Sequence, residues 1–226
     1  MIARLLQIAL ILSLLLAAQA AYSDPLFKAD ESRPADAIVL FDGKDLSAWC
    51  NDGTDQPAAW KVENGYAEVT GGNIWTKQQF GSYQLHLEFW LPLMADATGQ
   101  GRSNSGVYMH ARYEVQVLDS YGLDSKWDDC GGVYKVAVPL VNACRPPEQW
   151  QTYDIIFHAP TFDKDGKKIA NARLTVMQNG VLIHDNIDVP QPTVGAIGPD
   201  SATGPLMLQD HGCKVRYRNI WLRPLK

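Results

Sequence analysis

Within positions 108–116 every second residue is polar: Tyr108, His110, Arg112, Glu114 and Gln116. A solvent-facing strand normally carries Lys, Thr, Ser and Glu; here a phenol, an imidazole, a guanidinium, a carboxyl and an amide follow one another. On one extended strand all five project from the same face, whereas a turn near Ala111 and Arg112 would separate them. Such a set suits a hydroxyl-rich ligand. Each polar group fixes one hydroxyl, and a group left unpaired discriminates strongly against the wrong ligand. The competing reading is a hydrated outer face on which Arg112 pairs with Glu114.

A second group lies in Pro205-Leu206-Met207-Leu208-Gln209-Asp210-His211-Gly212. Alternation puts Gln209 and His211 on one face and Asp210 on the other, where it orients a neighbour or forms a salt bridge. Imidazole, with a free pKa of about 6.5, is the natural proton carrier near neutrality. A lone strand His is more often structural, but here Gly212 frees the backbone to turn, and an amide and an acid stand beside the ring. A third set, His86, Glu88 and Trp90, reads as ordinary sheet surface. Nucleophile elbows, zinc-protease motifs, phosphate loops and dinucleotide fingerprints are missing. Asp163-Lys164-Asp165-Gly166 lacks the acidic ending of a calcium loop and reads as a charged hairpin turn.

The elements that must carry these groups are strands. Apolar residues recur with period two at Tyr83, Leu85, Leu87, Phe89 and Leu91, and again at Val107, Met109, Ala111, Tyr113, Val115 and Val117. Asn64-Gly65 and Asn179-Gly180 predict tight hairpins of the primed turn types. No stretch shows a capped helical repeat, so an all-β sandwich or jelly roll is expected, as one domain over residues 38–226 after a flexible lead at 21–37. Two long connections, residues 94–104 with Arg102 and residues 120–150 with Tyr134, are either functional loops or plain insertions.

Residues 1–20 carry Arg4 as their one charge, a short apolar run and Ala18-Gln19-Ala20, the pattern of a cleaved secretory signal. The apolar run is too short to span a membrane and none as long follows it, so a periplasmic or secreted protein without a membrane anchor is expected. With 20 basic against 25 acidic side chains and no basic run, the chain has the wrong sign for nucleic acid. The four cysteines, Cys50, Cys130, Cys144 and Cys213, suggest disulfides in that compartment; their spacing argues against a zinc knuckle, and sequence does not choose among three pairings.

The runs Phe41-Asp42-Gly43-Lys44-Asp45-Leu46, Asn104-Ser105-Gly106-Val107-Tyr108, Tyr113-Glu114-Val115-Gln116-Val117-Leu118-Asp119-Ser120, Trp150-Gln151-Thr152-Tyr153-Asp154 and Leu208-Gln209-Asp210-His211-Gly212 together resemble the 3-keto-disaccharide hydrolase domain family. The resemblance covers residues 38–226. It implies a concanavalin-like, lectin-like jelly roll of two curved antiparallel sheets with a carbohydrate ligand on the concave face. It also implies a chemistry. A ketone at C3 acidifies the C2 proton, so a base can remove it, the anomeric oxygen leaves, and water adds back.

Glu114 and His211 are then the acid/base pair in either order, with Arg112, Gln116, Gln209, Tyr108, His110, Arg102 and Tyr134 as ligand-binding residues. A divalent cation held by Glu114 and His211 is an alternative way to polarise the ketone. Cysteines at 50 and 213, where the family pattern differs, imply a Cys50–Cys213 bridge, leaving Cys130 with Cys144. Two rivals stand beside this reading. A two-carboxylate glycosidase is disfavoured by Gln116 at the place of a second acid. A lectin-like binding module would instead stack sugar on Trp75, Tyr108 or Tyr134.

Overall fold

Tyr83, Leu85, Leu87 and Phe89 are fully buried, while His86, Glu88 and Trp90 between and beyond them stay partly exposed. This is the period-two burial of a strand with one face on a core. The computed structural model describes residues 33–226, so the expected signal and most of the polar lead lie outside the described residues. Ala35–Lys226 forms one compact unit.

Its strands are β1 (Ile38–Phe41), β2 (Trp49–Asn51), β3 (Lys61–Glu63), β4 (Tyr66–Glu68), β5 (Ile74–Thr76), β6 (Tyr83–Trp90), β7 (Asn104–Met109) and β8 (Tyr113–Leu118). They continue as β9 (Trp150–His158), β10 (Thr161–Phe162), β11 (Lys168–Ala170), β12 (Ala172–Gln178), β13 (Val181–Val189), β14 (Met207–Leu208) and β15 (Arg216–Pro224).

One sheet of eight strands runs β13-β12-β9-β6-β15-β4-β3 with β1 also on β15; a second, of five, runs β2-β5-β14-β7-β8. The pairings in both are antiparallel, and β10 and β11 form a separate hairpin. The chain is an all-β jelly roll. Trp49, Tyr83, Phe89, Tyr113, Phe157 and Tyr217 fill the space between the sheets, each large apolar side chain contributing roughly 1.5–3 kcal/mol by leaving water. Both Asn-Gly pairs are hairpin turns with positive φ at each residue, joining β3 to β4 and β12 to β13.

Residues 108–116 are not one strand. β7 stops at Met109, His110 and Ala111 take φ of +54° and +52°, and Arg112 N–H closes the turn on Met109 O at 3.0 Å. The apolar alternation passes through this hairpin unbroken because Met109 pairs directly with Tyr113, keeping both strands' apolar residues on the core side. His110 is the anchor of the turn. Its ring is fully buried edge-on to Phe157, with Nε2 2.9 Å from Gly81 O.

All six residues of β7 and all six of β8 are buried on both faces. The core covers one face. On the other side, Gly131 and Gly132 extend the sheet beyond β8 by hydrogen bonds with Gln116, and Thr193 bonds to Arg112 O and Glu114 N–H. The connections at 120–149 and 190–205 thus roof the end of the five-stranded sheet.

All four cysteines are free thiols, and Cys50 and Cys213 lie apart, which corrects that expected bridge. Cys50 lies on β2 with its thiol 3.6 Å from Trp75 O, whereas Cys213 sits against Met94 and the carbonyl of Arg102. These surroundings share no residue. Cys130 and Cys144 are neighbours, and the Cys130 thiol also meets the Tyr153 hydroxyl and the Gln178 amide, each at 3.3 Å.

Candidate functional site

The hairpin that separates His110 and Arg112 from the other polar residues also builds the site. Folding β8 back on β7 sets Glu114 opposite Tyr108 and Gln116 opposite Gly106, while Gln209, just beyond β14, donates its N–H to Gly106 O. Side chains from three neighbouring strands therefore meet on the face turned away from the core. Tyr108, Glu114, Gln116, Gln209, His211 and Tyr134 line a cavity of ≈130 Å³, joined by Gln100, Asn104, Val194 and Gly195. Gly106 supplies its floor. A Cβ there would lie 2.5 Å from Glu114 Oε1, 2.7 Å from Tyr108 Cε2 and 3.3 Å from Gln209 Oε1, so the absence of a side chain lets the carboxyl lie across the adjacent strand.

Glu114 is only 3% exposed, and none of the lining residues is Lys or Arg. Burial without a cationic partner pushes its carboxyl up to about 8, against a smaller opposing pull from the Tyr108 hydroxyl. The Tyr108 phenol is itself driven upward, chiefly by burial and then by the neighbouring carboxyl. Its hydroxyl donates to Val194 O at 3.0 Å and accepts from Gln209 Nε2 at 3.3 Å. A carboxyl that changes charge near neutrality can serve as a proton acceptor or donor.

The amides around it are held together through Gln100. Asn104 and Gln116 both spend their NH₂ groups on Gln100 Oε1, at 3.2 and 3.1 Å, and Gln100 is fixed in turn by Asp128 O at 2.7 Å. Asn104 Oδ1 and Gln116 Oε1 are left buried with no hydrogen-bond partner. An unmet buried acceptor costs about 1–3 kcal/mol. The lining of amides, phenols and a carboxyl suits a polyol ligand.

Of the residues picked out in the sequence, Glu114, Gln116, Gln209, Tyr108, Tyr134 and His211 come together here. His211 is exposed at the rim. Tyr134 stands edge to face with Trp127, ring centres 5.1 Å apart. Three others do not reach the cavity. His110 is core, as described; Arg112 donates to the carbonyls of Pro199 and His110; Arg102 donates to Asp119 O at 3.2 Å. Among the described residues Asp210 has no salt-bridge partner; it receives the N–H groups of Gly72 and Gly212 and ties the β14 exit to the β4–β5 loop. His86, Glu88 and Trp90 lie on the other sheet, engaged with Asp154, Arg218 and Arg216 respectively.

Sequence reasoning passed over Gln100, Asn104 and Gly106. The first belongs to a 3₁₀ turn, Gly99–Gly101, whose glycines carry no ligand signal by themselves; a pairing of Asn104 and Gly106 with β8 would have found the other two. A metal ion at this cavity would meet one carboxyl and one imidazole. The remaining oxygen donors there are the amides of Asn104, Gln116 and Gln209; among the described residues no three His, Cys, Asp or Glu side chains converge, and no step below runs through an ion.

Residues 36–223 match the model of the 3-keto-alpha-glucoside-1,2-lyase-like domain. A crystal structure of a candidate glycosyl hydrolase from Parabacteroides distasonis ATCC 8503, at 2.13 Å resolution, is 41% identical to this chain, covers 86% of each and superposes with a TM-score of 0.79. Two further candidate glycosyl hydrolases from the same organism are similar in fold. They have 21% and 22% identity and TM-scores of 0.60 and 0.58; 84% of this chain is covered in both cases, and 94% and 99% of theirs. No functionally curated protein matches the sequence.

Proposed function

The chain belongs to the 3-keto-alpha-glucoside-1,2-lyase-like family, and on that premise we propose that it is a carbohydrate-active enzyme that opens 3-keto-glycosides by 1,2-elimination, with hydration completing the hydrolysis. The observation that carries this reading is Glu114, a buried carboxyl held at about 8 beside a tyrosine hydroxyl and buried amide acceptors without partners.

In the proposed reaction the Glu114 carboxylate takes the proton from C2, made acidic by the C3 ketone. The electron pair passes through the enolate to form the C1–C2 double bond as the C1–O bond breaks. His211, exposed at the rim, gives the departing oxygen its proton and recovers one from solvent. Water then adds its hydroxyl to C1, and Glu114 returns a proton to C2. A base near 8 removes a carbon-bound proton more effectively than an ordinary carboxylate, and the neutral form it takes is the one the buried site favours. Gln116, Asn104 and Gln209 fix ring hydroxyls. A two-carboxylate mechanism has less support, since among the described residues Glu114 is the only carboxyl lining the cavity. The sequence of residues 1–20 favours an exported enzyme, acting in the periplasm or outside the cell.

The test is reaction of methyl 3-keto-α-glucoside, ordinary or carrying deuterium at C2, in single turnovers. Wild type is expected to break the C1–O bond several-fold more slowly with the deuterated compound, and Glu114→Gln to release no 3-keto-glucose from either. Equal rates of C1–O cleavage for the two compounds would contradict abstraction of the C2 proton in that step.

A further inference from the structure

We propose that the same sheet carries a second sugar-ring site, built around Trp75, which receives the leaving-group ring of the substrate. This rests on the reading of Glu114 above and extends it to a residue that fixes specificity. Cross-strand register places Cys50, Trp75, Met207, Tyr108 and Glu114 in a single row across β2, β5, β14, β7 and β8. Trp75 and Glu114 are therefore three strand spacings apart, about 14 Å at ~4.8 Å per strand. A disaccharide can extend along such a row; a monosaccharide with a methyl leaving group cannot.

Beside Trp75 opens a cavity of ≈460 Å³ with Asp55, Thr54 and Gln79 on its wall. The segment that roofs the carboxyl pocket also borders this one: Val194 and Gly195 line the first, Ile197 the second, and Ile197 N–H is held by Ala111 O at 3.1 Å. The two cavities thus lie along one face under one strap.

Trp75 differs from the other six tryptophans. Trp49 and Trp60 donate their indole N–H groups to Leu40 O and Gly72 O. Trp90 and Trp150 lie under Arg216 and Arg218, Trp127 meets Tyr134, and Trp221 stacks on His86. Among the described residues Trp75 has no indole hydrogen bond, ring partner or cation; it packs against the small apolar patch of Tyr108, Ala111 and Met207 and remains partly exposed. An uncommitted indole beside a cavity offers an apolar face with a polar edge, which matches the C–H face and hydroxyl rim of a pyranose. The Asp55 carboxylate, also without a partner among the described residues, would accept from those hydroxyls.

The experiment compares kcat/KM for maltose oxidised at C3 of its non-reducing ring with that for methyl 3-keto-α-glucoside. Wild type should prefer the disaccharide, and Trp75→Ala should reduce that preference about tenfold, the effect of losing one stacking contact. Trp75→Phe, which keeps a ring, should retain most of it. Trp75→Leu, which keeps apolar cover over Met207, repeats the test if the alanine variant does not fold. An unchanged preference with both substrates cleaved would overturn the second site and leave the proposed chemistry standing. If neither substrate is cleaved, that chemistry fails, and calorimetry with maltose decides the site. Binding about tenfold weaker in Trp75→Ala supports it; equal binding, or none to wild type, overturns it.

Discussion

Replacing Glu114 by Gln keeps the shape of the side chain and deletes its ionisation, so it measures what the buried carboxyl costs the fold. The folded carboxyl sits at about 8 against an ordinary value of 4.5. Below pH 4.5 folded and unfolded chains both hold the proton. Between the two values only the unfolded chain releases it, so the unfolded state binds fewer protons and stability falls as pH rises. At pH 7 the loss is about 2.5 pH units at ~1.36 kcal/mol each, roughly 3 kcal/mol, growing to roughly 5 kcal/mol above pH 8.

Glu114→Gln escapes this loss. Whatever its amide costs is independent of pH and cancels when the variant's advantage is compared between pH 4 and pH 7. That advantage should therefore grow by roughly 3 kcal/mol over the interval, or about 6–12 °C in Tm for a domain of this size. Thermal or urea unfolding of both proteins across pH 4–8 is the assay. A difference that does not change with pH would refute the desolvated carboxyl and, with it, the reason for choosing Glu114 as the base.

With a leaving group that needs no proton, as in 4-nitrophenyl 3-keto-α-glucoside, kcat/KM of the wild type should rise as pH passes through about 8, following ionisation of Glu114; a pH–rate profile for that substrate that is flat or falling from 7 to 9 contradicts its role as base. Gly106→Ala would push Glu114 Oε1 and Tyr108 out of place and should cost about 100-fold in kcat, the scale of an ångström misplacement, in a protein whose far-ultraviolet circular dichroism is unaltered. His110→Leu should lower stability by about 2–4 kcal/mol through loss of its buried contacts with Gly81 O and Phe157, with KM unchanged in the variant that remains folded. A raised KM would return His110 to the ligand.

The strands and their hairpins were legible because period-two burial and Asn-Gly turns are local signals, and Tyr83–Trp90 shows this directly. The site was legible in part. Glu114, Gln116 and Tyr108 were identified as one face of a continuous strand, and they do share a face, but through a hairpin. Met109 opposite Tyr113 preserves the alternation across the turn, so no break in the pattern marks it; only the positive φ at His110 and Ala111 reveals it. The same concealed turn put Arg112 and His110 on the wrong side of the account. The strap at 193–197 reaches the cavity from a distant connection, where spacing along the chain carries no information about proximity; Gln100 lies only four residues before Asn104, in a 3₁₀ turn whose residues give no local signal. The cysteines misled for a related reason: departure from a family pattern at two positions says nothing about whether their thiols can meet.

The most direct test of the central claim is product release by purified protein from methyl 3-keto-α-glucoside and from its unoxidised parent, followed side by side. Cleavage of the keto compound alone, lost in Glu114→Gln, is the predicted result, because only the C3 ketone makes the C2 proton removable. Cleavage of both compounds at similar rates, or undiminished activity in Glu114→Gln, would contradict it.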